Sequence, residues 1–409
     1  MIGKLKNKLS GIPIITPFLR KLKFIFFTHK YCKRYDIFTL YQYKHTYDIS
    51  FSVIDPPTTS FIASLKFYPD NKQIIEETKY PQIEVVEFCD CHVIGESDIV
   101  IDSFGNAIYN ANIGKNENNF DPALQTGYSC YPTIGRSTYI KVFQKKASDI
   151  PIGISLINTI PQNYYHFLHE VIAKFWVLKK LNIPASVPLI VNTRSFSIPQ
   201  FKELFQFFNE DKRQLIELDH LEQVKVDKLY LITPIKISGG PPRKWNEVSY
   251  KYPIYNLRVI DDLRGRLLET QKASTKSFPD KIFISRKNFN QRHYNEAELE
   301  EILHDYGFTT VYPEDMSIWD QIDMFNKCKT IVAASGAALT NLLFCSAGTS
   351  IIVFLNKLLS MPIYSTISYY LDCNLIYIAA DKVKNQRAYH TSFHINPDDL
   401  KNVLDQLFD

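Results

Sequence analysis

From Ile83 to about Phe143 the chain runs in short apolar alternations broken by turn residues: Val93-Ile94-Gly95, Ile99-Val100-Ile101-Asp102, Ser103-Phe104-Gly105-Asn106 and Tyr139-Ile140-Lys141-Val142. Alternation with period two predicts strands, and the turns between them predict a β-meander of hairpins. At Pro161 the period changes. Leu168, Val171, Ile172, Phe175 and Leu178 recur at helical spacing and predict a long helix over 163–181. Strands are predicted at Pro188–Val191 and Lys228–Ile232, with a helix over Gln200–Phe208 between them.

Gly239-Gly240-Pro241-Pro242 is the strongest break in the chain, and a polar helix over about 256–273 and a loop ending at Pro279 follow it. A domain boundary is expected near 240–275. Beyond it strands at 281–285, 308–312, 330–334 and 350–355 alternate with helices at 296–306, 318–326 and 338–344. Strands alternating with helices predict a parallel, doubly wound sheet. Asn295 with Glu298 three residues on reads as a capping box, and Ser317 as the cap of the next helix. Leu400, Val403, Leu404 and Leu407 predict a closing helix.

Composition narrows the class. With 409 residues, 45% hydrophobic and 22% charged, the chain is globular and long enough for about two or three domains. Forty-seven Lys and Arg against 43 Asp and Glu leave a net charge of +4, which implies no nucleic-acid partner. Seven cysteines show no C-x-x-C pair and no zinc-ligand spacing, which fits a reduced, cytoplasmic setting. Alternation through Cys89-Asp90-Cys91-His92 puts both sulfurs on one buried face, as structural cysteines. Over Met1–Lys30, Pro13, Pro17 and Arg20-Lys21 interrupt the apolar pieces, so neither an export signal nor a membrane span is expected. The same basic and aromatic arm suits either an ordinary surface segment or peripheral contact with an anionic membrane at its inner face.

Open parallel sheets bind ligands beyond the carboxyl ends of their strands. There the chain delivers Ser285, Arg286 and Arg292 after one strand, Glu314 after the next, and Ser335-Gly336-Ala337-Ala338 with Thr340 and Asn341 after a third. Arginine forks and helix-start amides suit a nucleotide diphosphate. The alternative is close strand–helix packing at Gly336 with solvated arginines. No G-x-G-x-x-G, P-loop, H-E-x-x-H or G-x-S-x-G is present, and no Asp-x-Asp follows a strand. A metal to hold the nucleotide is therefore not required. On the 163–181 helix, His166 and Glu170 form a stripe with Ala173 and Val177 opposite the apolar face, so they need not be buried. A histidine with a carboxylate one turn on suits a general base; a solvent-facing pair without a role is the alternative. His169 and Tyr165 are weaker candidates.

Tyr165-His166-Phe167-Leu168-x-Glu170, Ile284-Ser285-Arg286-Lys287 with Asn295-Glu296, Tyr306-Gly307-Phe308 with Gln321-Ile322, and Ser335-Gly336-Ala337-Ala338-Leu339-Thr340-Asn341 together resemble glycosyltransferase family 61, whose bacterial members include capsular polysaccharide biosynthesis proteins. The resemblance covers roughly 160–356. It implies an α/β fold of the GT-B type, with two Rossmann-like domains facing a cleft, here carrying the N-terminal β-meander. Residues 81–255 would be the acceptor-side domain, 256–396 the donor domain and 397–409 the closing helix; residues 1–80 lie outside the resemblance and are expected to be an extension facing membrane or acceptor.

The implied activity is inverting, metal-independent transfer of a sugar from a nucleotide-sugar donor to an oligosaccharide or lipid-linked glycan in surface or capsular polysaccharide synthesis, with no cofactor. Arg286 would neutralise the diphosphate, with Arg292 beside it. Ser285, Asn295, Ser335, Gly336, Ala337, Thr340 and Asn341 would build its cradle, while Glu296 and Glu314 bind the nucleoside or shape loops. His166 would be the base with Glu170 orienting it. One departure from the family is Ser335, which stands where a histidine is frequent and donates a hydrogen bond without carrying charge. Other readings of the same architecture are a non-catalytic glycan-binding or assembly protein and a nucleotide-sugar epimerase or hydrolase.

Overall fold

The computed structural model describes residues 32–110, 130–134, 137–141, 144–146, 148–237, 252–270, 274–289, 292–356, 361–380 and 392–408. The basic arm at 1–30 and the Gly-Pro break at 239–242 lie outside the described residues.

In chain order the strands are β1 (Cys32–Thr39), β2 (Phe51–Asp55), β3 (Thr58–Ala63), β4 (Ile75–Tyr80), β5 (Ile83–Ile94), β6 (Ile99–Ile101) and β7 (Asn106–Tyr109). Then come β8 (Cys130–Ile134), β9 (Ser137–Lys141), β10 (Gln144–Lys145), β11 (Ile150–Ser155), β12 (Leu189–Asn192), β13 (Leu215–Leu218) and β14 (Glu222–Ile232). The rest are β15 (Lys236–Ile237), β16 (Ile254–Tyr255), β17 (Lys281–Ile284), β18 (Thr309–Val311), β19 (Thr330–Ala334), β20 (Ser350–Leu355) and β21 (Asn374–Ala379).

A large mixed sheet runs β13-β12-β11-β14-β5-β6-β7-β1-β9-β8, with β2 on β5 and β10 on β14. Its β11, β12, β13 and β14 pair in parallel, whereas β5-β6-β7 and β8-β9 pair antiparallel. The two patterns join along β14, which lies antiparallel to β5 from Gln223 opposite Ile94 to Ile232 opposite Val85. One correction concerns the cysteines of β5: Cys91 is buried and Cys89 is exposed. Asp90 between them has φ 48°, a left-handed backbone that breaks the period-two alternation, so the two sulfurs no longer share a face.

The second sheet runs β18-β17-β19-β20-β21, all parallel. Numbered from β17 this is the order 2-1-3-4-5, so the chain reverses direction between β17 and β19, the position where doubly wound sheets open a crevice. Helices Glu296–Asp305 and Ile318–Lys327 form where the apolar spacing places them, and Ser317 caps the second by accepting from Asp320 N. Residues 337–344 wind as a 3-10 helix. The helix Pro397–Phe408 closes this half, packing Leu400, Val403 and Leu404 with Leu299 and Leu303.

Residues 32–80 reach both sheets, and within them β3 and β4 pair as a separate two-stranded sheet. β1 and β2 extend the large one, while Tyr377 N donates to Lys66 O (2.8 Å), Ser365 Oγ to Ala63 O (2.7 Å) and Ser60 Oγ to Tyr255 O (2.8 Å). The outer edge of β21 is thereby covered by a bridge between Phe67 and Tyr377. One continuous core links the two sheets, joining Phe167, Leu168 and Val171 to Leu339, Leu342 and Phe344. Among the described residues no helix is long and apolar enough to cross a membrane.

Candidate active site

At the carboxyl end of β17 the chain turns through Ser285 and Arg286, and one carboxylate fixes that turn. Glu296 Oε1 accepts from Ser285 Oγ and from Arg286 N (2.9 Å), while Ser285 Oγ accepts from Lys287 N (3.2 Å). Glu296 is thus engaged by the loop it shapes. Asn295 does not cap its helix, which corrects the expected capping box. Its amide is drawn away from the helix start, donating to Glu298 Oε2 (2.7 Å) and to Ile395 O (3.0 Å) and accepting from Ile395 N (3.0 Å). Glu314, just past β18, accepts from Asn288 Nδ2 (2.9 Å), and its carbonyl accepts from Gln200 Nε2 (3.0 Å) of the other half.

Across the switch point, β19 ends at Ser335 and Gly336. A Cβ on Gly336 would lie 2.2 Å from Arg286 Nη1, so glycine is what lets the guanidinium lie against this turn. Arg292 donates to Ser335 O (3.0 Å), and Tyr364 Oη donates to Gly336 O (2.6 Å). Burial and the Arg292 charge lower the pKa of Arg286, and its Nε is buried without a hydrogen-bond partner. Two like charges held together store an electrostatic cost that a bound anion relieves. Ser335 and Ala337 are half-buried beside them, whereas Thr340 and Asn341 are buried. Asn341 is engaged inside the protein: its Oδ1 accepts from Tyr164 Oη (2.9 Å) and its Nδ2 donates to Gln321 Oε1 (2.9 Å).

Tyr164 opens the element that carries the second cluster. An α-turn Tyr164–His166, capped by Asn163 Oδ1, passes into a π-helical segment Phe167–Ile172 and then an α segment Lys174–Leu178. Within the wide turn Ala173 N reaches back five residues to Leu168 O (3.0 Å). The expected polar stripe is corrected here. Ala173 and Val177 are buried, because the element is enclosed in the core between the two sheets, and of the stripe only His166 and Glu170 keep part of their surface.

His166 Nδ1 lies 2.8 Å from Glu170 Oε1, and Lys236 Nζ donates to the same oxygen at 2.7 Å. The Lys236 side chain is 2% exposed and its ammonium sits 4.5 Å from the Tyr165 ring centroid. Burial would raise the Glu170 pKa, but His166 and Lys236 outweigh it and hold the carboxyl well below its usual range. A carboxylate can only accept, so the hydrogen between the pair sits on His166 Nδ1, and in the neutral ring this tautomer leaves the lone pair on Nε2. Asp98, within the field of Glu170, is pushed up to about 7 by burial and by Glu170, against the opposing charges of Lys174 and Lys236. Lys174, buried, is lowered by burial. His169 is pushed down to about 3 by burial and Lys236, and is neutral between the rings of Tyr165 (4.9 Å) and Tyr255 (5.2 Å).

Lys236 and Asp98 escape a reading of the sequence. Lys236 follows a strand as a single lysine among Pro234, Ile235 and Ile237, and Asp98 stands in a turn between strands; only the tertiary fold brings them to Glu170. The two clusters are joined by the Tyr164–Asn341 bond, and Tyr165 Oη shares a hydrogen bond with Tyr255 Oη (2.7 Å).

Residues 164–352 match the family model described as Glycosyltransferase 61. The matched stretch opens at Tyr164 and closes within β20, so it takes in the π-helical element, Lys236 and the crevice from Ser285 to Asn341. No curated protein matches the chain.

Proposed function

Residues 164–352 place the chain in glycosyltransferase family 61, so it is a glycosyltransferase acting on a sugar donor and an acceptor, and from that premise we propose the following chemistry. The chain transfers a sugar, with inversion and without a metal, from a nucleotide-sugar donor to an oligosaccharide or lipid-linked glycan in the synthesis of a surface or capsular polysaccharide. The observation that carries this is the meeting, at the β17–β19 switch point, of two arginines with a glycine turn, tied through the Tyr164–Asn341 hydrogen bond to the element that carries a histidine held by a carboxylate.

In this reading Arg286 and Arg292 take the charge that grows on the departing diphosphate, aided by the amides after Gly336. His166 Nε2 removes the acceptor hydroxyl proton as that oxygen attacks the anomeric carbon from the face opposite the leaving group. Glu170 orients the ring and stabilises the imidazolium that forms. A carboxylate held as low as Glu170 is a poor proton acceptor, which favours His166 over Glu170 as the base. The two sheets, the mixed one with its parallel strands β11–β14 and the five-stranded one, support a GT-B arrangement with the donor on the C-terminal side.

The test is a thermal-shift screen against UDP, GDP, CMP and ADP with and without chelator, followed by product analysis with the stabilising donor. Stabilisation that persists in chelator, and a product of inverted anomeric configuration only when a glycan acceptor is added, are the expected results. Donor consumption without an acceptor product would replace transfer by hydrolysis or epimerisation.

A further inference from the structure

Lysine is almost never fully buried unless its charge is matched, and a buried ion pair is weak support for stability alone. Lys236 is buried to 2% and shares Glu170 Oε1 with His166 Nδ1, at 2.7 and 2.8 Å. We propose that Lys236 is a positioning residue for the transfer step: it holds Glu170 in place and offsets its charge, so that the carboxylate orients His166 without locking it as imidazolium. This rests on His166 being the base.

The charges around the pair carry the inference. Facing Glu170 are His166 and Lys174 from its own element, Lys236 from the segment after β14 and Asp98 from the β5–β6 turn. His169 lies within the field of Lys236, Glu170 and His166, and the rings of Tyr165 and Tyr255 pack against it. Of these groups only Lys236 and His166 touch the Glu170 oxygen, so the Lys236 ammonium offsets the carboxylate at the point where it meets the ring. Removing Lys236 leaves the Glu170 charge to His166 alone and favours the imidazolium. A base works best when its proton affinity is matched to the working pH, and Lys236 supplies that match.

The test compares kcat/KM against pH for the wild type, Lys236→Met and Lys236→Arg, with the ligand-free His166 imidazole titrated by NMR in each. In Lys236→Met the acid limb and the His166 titration should both move to higher pH by about 0.5 to 1 unit. Activity at pH 6.5 should fall about 10-fold, and the deficit should narrow to about 2- to 3-fold at pH 8.5. Donor KM should stay within about 2-fold, and Lys236→Arg should restore the limb. A loss of equal size at every pH, or an unmoved His166 titration, overturns the inference. Should Lys236→Met not fold, Lys236→Gln replaces it under the same criteria. If His166→Ala keeps full turnover, the reading of His166 as the base has failed and the inference falls with it; an inactive His166→Ala beside an unmoved titration overturns the inference alone.

Discussion

Around Arg286 and around Glu170 the chain solves opposite electrostatic problems. In the crevice Arg286 is partly buried near Arg292, and Glu296 is occupied by Ser285 and the Arg286 amide. Around Glu170, the Lys236 ammonium answers the carboxylate at 2.7 Å, with Lys174 and Asp98 in the same field. An unbalanced cluster lowers its energy when an anion arrives, whereas a balanced one is already settled and is suited to holding a ring and its proton in place. Substitutions should therefore separate affinity from turnover according to the cluster they touch.

The largest effect is expected at the balanced cluster. His166→Ala should lower kcat by about 10²-fold or more with nucleotide affinity within about 2-fold, as for loss of a general base. Turnover near that of the wild type would remove His166 from the role. At the unbalanced cluster the split reverses. Arg286→Ala should weaken nucleoside-diphosphate binding by about 30-fold, since charge-assisted hydrogen bonds to a buried anion are each worth about 1.5–3 kcal/mol. Titration calorimetry checks it, and Arg286→Lys should recover only part, because an ammonium lacks the planar fork. Unchanged affinity would leave the crevice as packing.

Next in size is a pH effect on stability that only the balanced side should show. Burial and Lys236 depress His169 to about 3 in the folded protein. The unfolded chain takes up that proton near pH 6.5, so stability is fully present above pH 6.5 and is lost as pH falls from there towards 3. Down to pH 5 the loss amounts to about 2 kcal/mol. His169→Phe, which keeps a ring between Tyr165 and Tyr255, should flatten that part of the slope in chemical denaturation at pH 7 and pH 5. An unchanged slope would mean that His169 is charged in the folded state.

The two regions also differed in how far the sequence disclosed them. In the C-terminal half each strand is a short apolar run followed by an amphipathic helix, so local pattern and tertiary partner agree, and the crevice residues follow from strand ends alone. In the N-terminal half the partners are remote: β14 pairs with β5, and residues 32–80 add strands to the large sheet and a bridge to Tyr377 of the other. Period gave the hairpins at 83–109 but not the strand order. The pair His166 and Glu170 was visible because it lies on one element. Lys236 and Asp98 were not, since nothing in their local spacing distinguishes a matched buried charge from a solvated one. The π-helical turn at 167–172 was hidden for a related reason, because a 3.6-residue wheel has no way to register a five-residue hydrogen bond.

The smallest expected effect probes the joint between the regions. Tyr164 Oη donates to Asn341 Oδ1, and both residues are buried. Tyr164→Phe keeps the ring against Phe201 and removes only the hydroxyl, leaving the Asn341 oxygen without its donor. The loss should be about 1–1.5 kcal/mol in denaturant unfolding, with kcat and donor affinity each within about 3-fold. If the bond merely staples two rigid halves, stability alone should fall. A drop in kcat beyond about 10-fold at unchanged affinity would mean instead that the bond sets the placement of His166 over the crevice, and the two clusters would then have to be treated as one site.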